Sequence, residues 1–143
     1  MPTRYKIATL DRAHLATLLD NYGAMATSLE QAYLSPGSVG YCLLENNVPV
    51  FAGGIVNMQW RRGEAWMIPT KFYRTHKAIC LRYLCRILPV AVVAGGFRRV
   101  QATCEIIVST TLFNWLGFKY EGTLAAFGPN GETCHMYSKV FTK

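Results

Sequence analysis

Residues 98–118, RRVQATCEIIVSTTLFNWLGF, decide how the rest of the chain is read. Val100, Ala102 and Cys104 alternate with Gln101 and Thr103, the period of a half-buried strand. Leu112, Phe113, Trp115 and Leu116 then recur at helical spacing. Gly117 follows at once, where a left-handed cap closes a helix, and Phe118 re-enters the core as the next strand begins.

Working toward the C-terminus, residues 120–127 read as a sixth strand, Gly128-Pro129-Asn130-Gly131 as a tight turn, and 133–141 as a seventh strand. Toward the N-terminus, residues 76–94 form the main helix, with Ala78, Leu81, Leu84, Cys85 and Leu88 facing a sheet. Pro89 is expected to kink or shorten it, and Gly95-Gly96 to end it. Residues 64–68 are a fourth strand stopped by Pro69, and 70–75 a loop. Residues 48–60 are a third strand, in which Gly53-Gly54 marks a bulge or a close approach. Glu45-Asn46-Asn47 turns that strand back onto a second, 39–44. Asp11 caps a first helix carrying Leu15, Leu18 and Leu19, and residues 24–33 form another. Tyr5, Ile7 and Leu10 make the first strand. The order strand, two helices, three strands, helix, strand, helix, two strands predicts a single α/β (α+β) domain over 1–143. Its seven-stranded sheet is mixed but mostly antiparallel, with about four helices and a parallel pair where the main helix crosses over.

The 143 residues suffice for a real core, and 51% apolar with 16% charged residues is a globular composition. The longest apolar run, 87–94, is too short to span a bilayer and contains Pro89, and the N-terminus lacks a signal-peptide apolar core. A cytoplasmic protein with no membrane association is the expectation. The five cysteines form no CxxC pair, so neither a disulfide framework nor, with His14, His76 and His135, a metal site is expected. The net charge of +7 suits nucleic acid, an acidic partner or an anionic cofactor. Nucleic acid is least favoured, because the basic residues are scattered and no base-reading motif accompanies them.

Leu116-Gly117-Phe118, the Glu121-Gly122 pair and the order of elements resemble the GNAT family of N-acetyltransferases over almost the whole chain. The resemblance implies that the fourth and fifth strands splay apart and admit acetyl-CoA. Trp66, Met67 and Ile68 would face its pantetheine arm. Arg74, Thr75, His76, Lys77 and Ala78 would lie where the pyrophosphate meets the main helix N-terminus. The family motif there is Arg or Gln, two residues, Gly, one residue, then Gly or Ala. Only Arg74 matches, because Lys77 and Ile79 occupy the small-residue positions. Either Arg74, His76 and Lys77 replace close backbone approach by charge, or the segment is a solvated helix start. Counting back from Gly117, the usual Asn falls on Ile106. The usual proton-donating Tyr falls on Phe113, which has no proton to give and would only border the cofactor. Glu64 and Glu105 are the candidate bases, and Tyr137, on one face of the last strand with His135, is within reach as a third catalytic group.

A narrower resemblance joins residues 64–70, 76–78, 114–118 and 128–131 to acetyltransferase-like proteins of tailed bacteriophages, among them internal virion proteins. Two functions stay open. One is a phage-encoded, acetyl-CoA-dependent N-acetyltransferase acting on a protein or small-molecule amine. The other is an inactive protein on the same fold, serving as a virion component or binding a host protein. The first belongs in the host cytoplasm and the second in the virion, and the last strand is free to pair between subunits of a homodimer.

Overall fold

Two asparagines in left-handed conformation, Asn46 (φ 49°) and Asn47 (φ 69°), make the tight turn that pairs the second and third strands. From that hairpin the sheet grows in both directions. The computed structural model describes residues 4–105 and 111–141, with only the backbone of Glu105. Its elements are β1 (Tyr5–Thr9), α1 (Arg12–Leu18), a 3-10 turn (Asp20–Tyr22), α2 (Met25–Tyr33), β2 (Val39–Glu45), β3 (Val48–Asn57) and β4 (Arg62–Met67), then α3 (Lys71–Thr75), α4 (Lys77–Gly95), β5 (Arg99–Glu105), α5 (Thr111–Trp115), β6 (Lys119–Leu124) and β7 (Cys134–Val140). The strands lie in the order β1-β2-β3-β4-β5-β7-β6. Every neighbouring pair is antiparallel except β4 and β5, the two strands joined by the α4 crossover.

Helices cover both faces. On one, α1 and α2 bury Leu15, Leu19 and Leu29 against Cys42, Ala52 and Ile68. On the other, α4 buries Cys80, Tyr83 and Ile87 over Leu43 and Phe51, and Ala91 and Val92 over Ile55 and Val100. The Tyr83 hydroxyl donates to the Tyr41 carbonyl across that second layer. Asp11 opens α1 with a capping box: its carboxylate accepts from the His14 N–H at 2.8 Å, and His14 Nδ1 accepts from the Asp11 N–H at 3.2 Å.

Four elements differ from the sequence expectation, the first being β6, which ends at Leu124 rather than at Phe127, with Ala126 left-handed (φ 53°) just beyond it. Residues 70–75 are not a loop, because Thr70 Oγ1 accepts from the Tyr73 N–H at 3.2 Å and starts α3. The same hydroxyl donates to the Val50 carbonyl at 2.7 Å, which fixes α3 against β3. There are thus five α-helices among the described residues where about four were expected. Pro89 does not interrupt α4, which runs from Lys77 to a left-handed cap at Gly96 (φ 69°). Long and apolar enough to cross a bilayer, α4 nonetheless packs on the sheet through five buried side chains. Finally, β3 ends at Asn57, because Gln59, Trp60 and Arg61 are all left-handed and turn the chain into β4 early.

Gly53-Gly54 proves to be a close approach, the ladder irregularity falling instead at Leu43 and Leu44. A Cβ on Gly54 would lie 2.4 Å from the Val39 carbonyl oxygen and 3.0 Å from the Trp66 ring. A Cβ on Gly40 would lie 3.2 Å from the same ring. The two glycines make the floor on which Trp66 lies, and Tyr33 of α2 covers it from above, stacked at 3.7 Å with planes 4° apart.

Candidate active site

The parallel ladder between β4 and β5 is short. It pairs Arg62 with Arg99, Gly63 with Val100 and Glu64 with Gln101, and goes no further. β4 continues to Met67 along β3, and β5 continues to Glu105 along β7. The two strands therefore part after Glu64 and Gln101, as the resemblance implied. The Ile68 N–H donates to the Ala52 carbonyl at 3.1 Å. By alternation, Met67 turns its own N–H and C=O the other way, toward β5 and beyond the last ladder pair. A half-buried main-chain pair facing a gap is open to a partner, so this edge fits an extended ligand that carries amides of its own.

The side chains of β4 alternate between the two faces of the sheet. Glu64 and Trp66 project toward α2, while Ala65 and Met67 project toward α4. Glu64 is half-buried, and burial raises its carboxyl pKa above the ordinary carboxylate value. Tyr33 is pushed up to about 12, first by burial, then by the nearby Tyr22 and Glu64. On the α4 and α5 face, Tyr137 pairs with Ala102, one step past the end of the parallel ladder. Its ring stacks on Phe113 at 4.8 Å with planes 11° apart. His135 lies on the same strand face and hydrogen-bonds Thr123 Oγ1 through Nδ1 at 3.1 Å.

The segment between α3 and α4 divides in two. Thr75 and His76 are engaged locally: Thr75 Oγ1 hydrogen-bonds His76 Nδ1 at 2.8 Å, and the His76 ring stacks on Phe72 at 4.2 Å. Ile79 turns inward and packs in the cluster around Tyr83. Arg74, Lys77 and Ala78 stay exposed at the start of α4, which has no side-chain cap. Free first-turn N–H groups beside two cations fit a phosphate.

Of the sequence candidates, the structure brings Glu64, Met67 and Tyr137 around the parting strands, with Phe113 behind Tyr137. Trp66 and Ile68 contribute side chains to the α1 and α2 core rather than to the opening. Ile106 and the side chain of Glu105 lie outside the described residues. Tyr33, which covers Trp66, escaped the sequence reading. A lone aromatic near a helix end carries no signal of what its ring meets across the fold.

No protein-family description matches the chain, and no curated protein resembles it in sequence. Its likeness to solved structures is extensive. A variant of a spermidine N-acetyltransferase from Vibrio cholerae superposes with a TM-score of 0.76 at 12% identity, covering 97% of this chain and 95% of that one. An acetyltransferase of the GNAT family from Streptococcus pneumoniae gives 0.73 at 15% identity, covering 96% and 99%. The fold is that of the GNAT acetyltransferases. A third structure, described as a putative acetyltransferase, gives 0.70 at 19% identity and covers 98% of this chain and 84% of its own. At these identities the GNAT likeness concerns the fold, and the chemistry has to be argued from the residues.

Proposed function

We propose that the protein is an acetyl-CoA-dependent N-acetyltransferase acting on an amine. The observation that carries this reading is the parting of β4 and β5 just past a half-buried carboxylate, Glu64. Acetyl-CoA, when bound, supplies an acetyl thioester that an amine can attack. The Met67 edge of β4 would hold the amide-bearing arm of that cofactor. The first turn of α4, with Arg74 and Lys77, would hold its pyrophosphate. Positioning the two reactants in one cleft is itself a large part of the rate. Glu64 accepts a proton from the substrate nitrogen, and its raised pKa brings it nearer to that task at neutral pH. Tyr137 Oη carries a proton on the opposite face, beside the phenyl ring of Phe113, which carries none.

The proposal includes a phage origin, on the strength of the sequence resemblance of about residues 63–141, and with it a place in the host cytoplasm. The rival reading is an inactive relative that serves in the virion or binds a host protein. Phe113 favours it, because a phenyl ring stands where the family carries a proton donor. Calorimetric titration with acetyl-CoA separates the two. Micromolar binding that weakens in Arg74→Ala and Lys77→Ala supports the enzyme. No binding at millimolar acetyl-CoA removes it and leaves the rival. With binding in hand, Tyr137→Phe is expected to lower turnover at least tenfold while leaving cofactor affinity intact, a magnitude typical of acid–base groups.

A further inference from the structure

Two pairs of arginines, distant in the sequence, meet in the fold. The Arg61 carbonyl accepts from the Arg98 N–H at 2.8 Å and from the Arg99 N–H at 3.3 Å, and Arg62 pairs with Arg99 in the β4–β5 ladder. They lie at the end of that ladder away from the parting of the strands. Among the described residues, the only ion pair that any of the four makes is that of Arg99 with Glu121. Glu105, the one acidic residue whose side chain is not described, ends β5 about 20 Å along an extended strand from Arg99. Three arginines at this end therefore have no counter-ion. Trp60, next to Arg61, is 75% exposed. Gln59, Trp60 and Arg61 are left-handed (φ 78°, 55° and 59°), a conformation that side chains disfavour. The turn is held all the same. The Arg62 N–H donates to the Gln59 carbonyl at 3.0 Å, the Met58 N–H to the Arg62 carbonyl at 2.9 Å, and Arg61 Nε to the Gly96 carbonyl at 2.8 Å. An indole kept out in water on a strained, fixed turn calls for a partner outside the chain. The Arg62 guanidinium covers one side of its ring, 4.9 Å from the centroid, and the exposure leaves the other side open.

We infer that this end of the sheet binds single-stranded nucleic acid, with a base stacked on the open face of Trp60 and the neighbouring phosphates paired with the exposed Arg61 and Arg98. Stacking on an aromatic platform beside cations needs no base-reading motif, so the lack of one in the sequence does not bear on it. Other partners fit less well. A membrane surface takes several apolar groups together, whereas Asn57, Gln59 and Arg61 around Trp60 in the turn are polar. A second copy docked through the same surface would set the arginines against themselves. An acidic protein segment would answer the arginines and leave the indole without a role. The surface is separate from the opening between β4 and β5, and its use does not depend on acetyl transfer.

The test is fluorescence anisotropy of the full chain with labelled dodecamers of thymidylate and of uridylate, a duplex of the same length, and polyglutamate. The wild type is expected to bind a single strand about tenfold or more tightly than the duplex or polyglutamate, and Trp60→Ala to lose about tenfold, the scale of one stacked base, with Trp60→Phe losing less. The logarithm of the affinity should fall against the logarithm of the salt concentration with a slope of about −1.4, about −0.7 for each of two phosphates, and Arg98→Ala should reduce that slope to about −0.7. Whichever dodecamer binds more tightly identifies DNA or RNA as the ligand. No binding of either strand, polyglutamate or duplex bound as tightly, or an unchanged affinity in Trp60→Ala overturns the inference. So does a loss in Lys77→Ala as large as that in Trp60→Ala, which would place the strand at the start of α4. The comparison of ligands on the wild type decides even if a variant folds poorly.

Discussion

Burial without a counter-ion and pairing with one move two carboxylates in opposite directions. Glu64 binds its proton more tightly in the folded protein than in the unfolded chain. Its contribution therefore favours the fold at acid pH, and is lost as pH rises through the raised folded value. Glu64→Gln is accordingly expected to stabilise the protein at pH 8, by less than about 1 kcal/mol once solvent screening is allowed for, and to change little near pH 3. Urea unfolding at the two pH values checks this, and a loss of stability at pH 8 would contradict it. Glu121 behaves oppositely. Its carboxylate accepts from Arg99 Nη2 at 2.5 Å and from Ser138 Oγ at 2.6 Å, and these bonds lower its pKa from 4.5 to about 2. The stabilisation from this group is whole above pH 4.5 and disappears as pH falls through about 2. Arg99→Ala should flatten the acid limb of the stability profile over that window, with only a small loss at neutral pH, because the pair is partly exposed.

The fit between strands depends on where a Cβ can go. On Gly54 it would meet main chain, 2.4 Å from the Val39 carbonyl oxygen and 2.7 Å from the Gly40 Cα, and neither can step aside without moving β2. Gly54→Ala is therefore expected to cost about 3 kcal/mol or more. On Gly53 it would meet Leu84 Cδ2 at 3.1 Å, a side-chain end that can rotate, and the Trp66 carbonyl oxygen at 3.2 Å, which need give way by only a few tenths of an ångström, so Gly53→Ala should cost less, about 1–2 kcal/mol. Thermal unfolding of the two variants reads the contrast, and equal losses would mean that the Trp66 platform does not depend on backbone approach. The pair was legible in the sequence as a bulge or a close approach, and neither the choice between them nor its partner was. Trp66 reaches Gly54 only through the β3–β4 register, and Tyr33 reaches Trp66 only through the packing of α2. Elements long enough to show a period, such as α4 and β5, were readable. The five-residue α3 was not, since Thr70 looks the same as a cap and as a loop residue. The sequence reading sent Trp66, Met67 and Ile68 together to the pantetheine arm, whereas alternation along β4 puts Trp66 with Glu64 on the face opposite Met67, and side-chain alternation does not say which main-chain edge is left open. That follows from where the ladder with β5 stops.

At the scale of the molecule, β1–β4 and β5–β7 are two sheet halves that meet along three paired residues and the helices beneath them. Among the described residues the ladder ends at Glu64 and Gln101, so the Met67 amide faces the gap with no strand partner there. A bound ligand that donates and accepts along this edge would supply the missing partner and join the halves. In the free protein the Met67 amide is expected to exchange with solvent quickly, while Ile68, bonded to Ala52, is protected. With acetyl-CoA at a hundredfold excess over its dissociation constant, linkage adds about 2.7 kcal/mol to global stability. All core amides should then gain protection up to that limit, and Met67 should gain more in relative terms, by acquiring a hydrogen bond of its own. Raising the salt shortens the reach of Arg74 and Lys77, the Debye length falling from about 10 Å at 0.1 M to about 3 Å at 1 M. The general gain should shrink accordingly, while Met67 stays the most affected amide at any saturation that is still reached. Uniform protection with Met67 unchanged would place the cofactor elsewhere, on the basic surface rather than between the strands. Protection confined to Met67 and the first turn of α4 would mean that the ligand bridges the gap without stiffening the two halves.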